Sequence, residues 1–265
     1  MGENNSSETR VAPLGKFLLE NHDKINDLLS LIGCGDVDFG DFCDDDVWFS
    51  EKVNGKTLRS EKSLPPPLYH LEGIIHAVCS QEEVRAFFMH SVKEAMRRGT
   101  LKEKSGNMRL DFAAGLISEQ DAVQAVHEKK RWATMEAASH PDLFIENEDF
   151  ILLVEGKLTE PSTTKEVLYV AGRSQMVRHI QNTIAYLEGK GEDKKIIAFY
   201  ILPENFKSIS GLKQKQAIEK EMEDETIPIS ASVRKKIAAA YYGCTTWEAV
   251  SDRLGIEFSP IKAKR

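Results

Sequence analysis

Cysteine is scarce in this sequence, with four residues among 265, and no two of them form a C-x-x-C pair. Cys34, Cys43, Cys79 and Cys244 therefore offer no zinc or redox motif. With nothing else to suggest secretion, they are expected as reduced thiols in a cytoplasmic protein. No apolar run approaches the roughly 20 residues that span a bilayer, so no membrane contact is expected. The opening MGENNSSETR has no apolar centre of the kind a signal peptide needs and reads as a loose tail. A basic excess is missing too: 35 Lys and Arg face 42 Asp and Glu, for a net charge of −7. Non-specific binding to nucleic acid works by neutralising phosphates. The balance therefore argues against a tight or processive DNA binder, though not against a local basic groove. No internal repeat is present. Asp44, Asp45 and Asp46 stand in a row, but the spacing and terminal Glu of a Ca²⁺ loop are absent, and the run reads as solvated charge.

What is present describes an ordinary globular protein. Apolar residues make up 41% and charged residues 29% of a chain long enough to bury a sizeable core, as one large domain or two small ones. Leu14, Phe17, Leu18, Ile25, Leu28, Leu29 and Ile32 recur at helical spacing, with Gly33 as the stop. Asn54-Gly55, between residues 47–53 and 56–60, is a strong hairpin signal. Leu64-Pro65-Pro66-Pro67 punctuates the chain, and residues 68–98 read as helix in two pieces, with Ser80 capping the second and Gly99 ending it. Residues 100–107 read as a loop.

The most informative stretch runs from His140 to Glu160. Residues 143–145 and 151–154 are short apolar runs of strand type, and the polar residues 146–149 read as the turn between them. Alternate side chains on a strand share a face, which places Glu155 and Lys157 on one side, about 7 Å apart along the strand. The hairpin returns Asp142 beside them. Two carboxylates and an ammonium at one sheet rim suit Mg²⁺, which takes oxygen ligands and retains waters. Such an ion polarises a phosphoryl oxygen and lowers the pKa of a bound water, while a nearby Lys can orient that water or offset charge on the phosphorane.

Pro141-Asp142, twelve residues, then Glu155-Gly156-Lys157 resembles the signature of the PD-(D/E)XK nuclease superfamily. Over residues 116–203 the resemblance implies an α/β fold with a restriction-endonuclease-like αβββαβ core and a mixed sheet. It also implies phosphodiester hydrolysis by a Mg²⁺- or Mn²⁺-dependent endonuclease. Asp142 and Glu155 would hold the metal, Lys157 would assist the attacking water, and the first helix would supply a further acid. Gly156 departs from the family, which usually places an apolar residue there. The short gap before Asp142 leaves little room for a separate first strand.

Residues 118–138 read as a helix capped by Ser118, and on it Glu136 is the candidate for the further acid, with Glu128 as the alternative. Lys129-Lys130-Arg131 could meet a phosphate, and His140 could shuttle a proton. Residues 165–188 read as a helix, with Gly172 a break in it, and a polar stripe of Gln175, Arg178, His179, Asn182 and Tyr186. Gln175 and Arg178 are the candidates for phosphate or metal-water contacts. Asn182 and Tyr186 approximate the Gln-x-x-x-Tyr signature of phage-type members without matching it. Residues 196–202 read as a buried strand laid parallel to its neighbour.

Beyond it, helices are expected over 212–225 and 233–241, with Thr245 capping a last one. The pair around Gly243 is weighed as a helix-turn-helix and set below plain packing. The expected organisation is a mainly helical region with a small hairpin at 1–107, a nuclease-like core at 108–204 and a helical extension at 205–265. The partner would be nucleic acid, DNA before RNA, and a homodimer is admissible. The competing reading is a catalytically silent module of the same fold that binds nucleic acid or a protein.

Overall fold

The computed structural model describes residues 7–53, 56–158, 174–204, 212–223 and 229–258. Residues 1–6 of the expected tail, the Asn54-Gly55 turn, the loop after Leu158, the break at Gly172 and the basic end at Lys262, Lys264 and Arg265 lie outside the described residues. The rest of that tail is not loose, because Ser7–Val11 form a π-helical turn with Arg10 and Val11 buried.

The chain is an α/β protein built on a mixed five-stranded sheet. Its strands are β1 (Val47–Phe49), β4 (Leu143–Glu146), β5 (Phe150–Gly156), β6 (Lys195–Leu202) and β7 (Tyr241–Thr246), in that spatial order. β1 and β4 are antiparallel, as are β4 and β5, whereas β5, β6 and β7 run parallel. A separate hairpin, β2 (Glu51–Val53) with β3 (Lys56–Arg59), follows β1.

Alternation along the strands gives the sheet two apolar faces. Leu143, Ile145, Leu152, Val154, Ile197, Phe199 and Ile201 pack against α1 (Ala12–Glu20), α2 (Lys24–Ser30) and the last helix, α10 (Trp247–Leu254). On the opposite face Phe144, Ile151, Leu153, Ala198, Tyr200 and Leu202 meet α7 (Gln175–Lys190), α8 (Leu212–Glu223) and α9 (Ala231–Ala240). With helices on both sides, β5 and β6 are apolar almost throughout, as a strand covered on both faces requires.

Between the hairpin and β4 the chain leaves the sheet to form α3 (Leu68–Ser80), α4 (Glu82–Arg97), α5 (Glu103–Ala113) and α6 (Glu119–His127), which share a core of their own. Leu64 and Ser139 exchange backbone hydrogen bonds of 2.9 Å in each direction and so close the base of this insertion. Asn182 of α7 donates to Leu64 O at 2.9 Å and to Ser139 Oγ at 3.1 Å, fastening the insertion to the sheet.

Several expectations are corrected. The sheet is not confined to residues 108–204, because β1 and β7 come from outside that span. A first strand does exist, and it lies before the helical insertion rather than just ahead of Asp142. The helix begun at Ser118 ends at His127, because the chain reverses at Lys129, which adopts a left-handed φ of 56°. Residues 100–107 are not all loop: α5 starts at Glu103, with Gly106 letting Met96 approach its backbone. The break between α3 and α4 falls as expected, but Ser80 does not cap α4; its hydroxyl donates to His76 O instead.

Around Gly243 the chain is a strand, so no helix-turn-helix forms; Tyr241, Tyr242, Thr245 and Thr246 are strand-favouring types. The hydroxyl that caps α10 belongs to Thr246 rather than Thr245. Among the described residues no helix is long and apolar enough to cross a membrane.

Candidate active site

The β4–β5 hairpin sets the geometry. Asn147 closes its turn: its N–H donates to Phe150 O, and its side-chain oxygen accepts from Asp149 N and Phe150 N. The register pairs Leu143 with Val154, so the next residues outward, Asp142 and Glu155, face one another across the hairpin. Asp142 Oδ2 accepts the N–H of Gly156 at 2.9 Å. Glu155 Oε1 lies 2.9 Å from Lys157 Nζ, and Oε2 lies 3.2 Å from His179 Nε2. Lys157 Nζ also donates to Gln175 Oε1 at 3.0 Å. Gln175 and His179 are four residues apart on α7 and so share a face, and Ser174 starts that helix by accepting Val177 N.

The residue types explain the arrangement locally. Lys157 continues β5 by donating its backbone N–H to Ile201 O, and its carbonyl accepts Trp247 Nε1–H at 2.8 Å. At Gly156 a Cβ would lie 2.7 Å from both Trp247 Cζ2 and Val11 Cγ2. The space a side chain would fill at this position is taken here by the indole and Val11.

Asp142, Glu155, Lys157 and His179 are all buried. Burial pushes the Glu155 carboxyl up, but the Lys157 charge and the His179 hydrogen bond outweigh it and leave the pKa below the usual range. Burial lowers the His179 pKa; the Glu155 hydrogen bond opposes that shift without reversing it. Glu61, half-buried, is raised by desolvation and then by the charge of Glu155, so a third carboxyl senses the site.

Of the candidate residues, Glu155, Lys157 and Gln175 are joined by hydrogen bonds, and Asp142 reaches the backbone of Gly156 next to them. Arg178 stands close enough to His140 and His179 to help lower both pKa values, after burial. Glu136 is not helix-borne: it is fully buried in irregular chain after α6, 3.3 Å from His70 Nε2 of α3. Glu128 is exposed and pairs with Lys130 at 2.6 Å. Tyr186, at the far end of α7, donates to Glu146 at 2.8 Å, so with Asn182 it belongs to the scaffold. His179 was visible within the polar stripe but not distinguishable from its neighbours there. Trp247 and Glu61 carried no sequence signal, since both act through long-range packing.

Among the described residues no group of three or more His, Cys, Asp and Glu side chains gathers as a metal cage. Mg²⁺ does not need one, since it is commonly held by one or two carboxylates with waters and substrate phosphate. Asp142 and Glu155, at opposed positions of the hairpin, are hard oxygen donors of the type that ion takes, with the Lys157 ammonium beside Glu155.

Compared with protein-family models, curated proteins and solved structures, the chain finds no significant match.

Proposed function

We propose that this protein is a Mg²⁺- or Mn²⁺-dependent nuclease of the PD-(D/E)XK type acting on DNA. The observation that carries the reading is the cluster of Asp142, Glu155 and Lys157 at one rim, with Lys157 Nζ held at 2.9 Å from Glu155 and 3.0 Å from Gln175. The order of elements supports it: α1 and α2, β1, β4, β5, α7 and β6 run as αβββαβ, interrupted by the helical insertion.

Asp142 and Glu155 would hold the ion, which would supply polarisation of the phosphoryl oxygen and a more acidic water. Lys157 presents a fixed ammonium that orients the attacking water and offsets charge on the phosphorane. Gln175 keeps that ammonium from swinging toward solvent. Arg178, close enough to His179 to help lower its pKa after burial, is a cation beside the site available to a substrate phosphate, and the exposed Lys129, Lys130 and Arg131 are further candidates. The net charge of −7 favours the second reading, a silent module of the same fold.

The test is incubation with Mn²⁺ or Mg²⁺ and single-stranded, duplex and branched DNA and RNA. Cleavage by the parent is expected, with Mn²⁺ uptake and cleavage both lost in Asp142→Ala. Every substrate left uncut would make the binding module the better reading.

A further inference from the structure

We propose that His179 is a positioning residue of this site, an imidazole in the Nε2–H form that fixes the orientation of the Glu155 carboxylate. The inference rests on reading Asp142 and Glu155 as a metal-holding pair, and it assigns the device that keeps one of them aimed.

His179 Nε2 lies 3.2 Å from Glu155 Oε2, and the two side chains are 1% and 3% exposed. A carboxylate only accepts, so the nitrogen facing it carries the hydrogen. The other nitrogen decides the tautomer. Nδ1 is buried and has no hydrogen-bond partner among the described residues. A hydrogen on it would be a buried donor without an acceptor, a cost of about 1–3 kcal/mol. The bare Nδ1 therefore selects the Nε2–H form, and the ring's one hydrogen bond among the described residues goes to Glu155.

That bond completes a clamp. Lys157 takes Oε1 and His179 takes Oε2, so the carboxyl plane is set from both sides. A carboxylate offers about four lone-pair positions, which leaves some free for an ion after both partners are satisfied. The two clamping residues come from different elements, β5 and α7, so the orientation depends on how the helix packs on the sheet. Polar groups behind a ligand carboxylate act in this way on metal affinity.

The experiment compares the full chain with His179→Gln and His179→Leu by Mn²⁺ titration, reading free Mn²⁺ by electron paramagnetic resonance. Glutamine keeps an N–H close to the Nε2 position, so His179→Gln should retain the parent's affinity. Leucine fills the space without a donor, so His179→Leu should bind Mn²⁺ about 10–100-fold more weakly. Thermal unfolding of each variant separates this loss from a loss of fold. Equal Mn²⁺ affinity in His179→Leu and the parent would overturn the proposal.

A second readout needs no metal. The imidazole nitrogen spectrum of the metal-free protein at neutral pH should show His179 protonated at Nε2 and bare at Nδ1, with the resonance displaced in Glu155→Gln. An Nδ1–H ring, or a signal indifferent to Glu155→Gln, would overturn the proposal whatever the ion does. A parent that takes up no Mn²⁺ refutes the metal reading instead, and the nitrogen spectrum then decides the role of His179 by itself.

Discussion

At the scale of single residues, Gly156 does work that no side chain could do in its place. Any Cβ there would press on Trp247 and Val11 at 2.7 Å. Gly156→Val should therefore destabilise the protein by about 1–3 kcal/mol, as overpacking does, and weaken Mn²⁺ binding by displacing its neighbours Glu155 and Lys157. Urea denaturation and metal titration measure the two effects. Lys157→Ala should abolish nearly all cleavage while leaving the far-ultraviolet circular dichroism of the fold in place, since His179 still donates to Glu155.

Asp142, Glu155 and Lys157 were legible in the sequence because strand alternation and a short polar turn determine which side chains share a rim. Glu136 was misjudged for an equally physical reason. The helix that would have carried it stops at His127, and the left-handed turn at Lys129 that redirects the chain carries no glycine to announce it.

At the scale of elements, the far end of the same hairpin is held by a second charge cluster. Glu146 at the end of β4 accepts from Lys190 at 3.0 Å, Lys194 at 2.8 Å and Tyr186 at 2.8 Å, joining the strand to α7 and to the turn before β6. Burial raises the Glu146 pKa, but these partners outweigh it and hold it below the ordinary value. A carboxyl depressed in the folded state stabilises above its unfolded pKa, near 4.3, and that contribution is lost as pH falls through the folded value. Glu146→Gln should therefore lower stability at neutral pH and flatten its decline on acidification, read as urea midpoints between about pH 6 and about pH 3.

The turn at 146–149 was readable, yet the buried role of its first residue was not, because its partners arrive from 40 to 48 positions away. β5 and β6 were readable as apolar runs. β7 was not: an alanine-rich helix, Ala231–Ala240, leads directly into it, and only parallel pairing with β6 makes it a strand.

At the scale of the whole molecule, the sheet gathers strands from Val47 to Thr246, so no compact segment contains it. A fragment of residues 108–204 keeps β4, β5 and β6 but loses α1, α2 and α10, exposing Leu152, Val154, Ile197, Phe199 and Ile201. It should stay unfolded or aggregate when expressed alone, as shown by circular dichroism and gel filtration, whereas the full chain gives a cooperative transition. The expected boundaries at 107 and 204 failed because β1, three residues long, shows its membership only through a partner nearly a hundred positions later.

Trp247 has one more consequence. Its indole N–H grips the carbonyl of Lys157 from 90 residues downstream. A nascent polypeptide emerging from the ribosome thus exposes Asp142, Glu155 and Lys157 well before their supporting wall has been translated. The proposed site can therefore assemble only late in translation, once synthesis has passed the tryptophan.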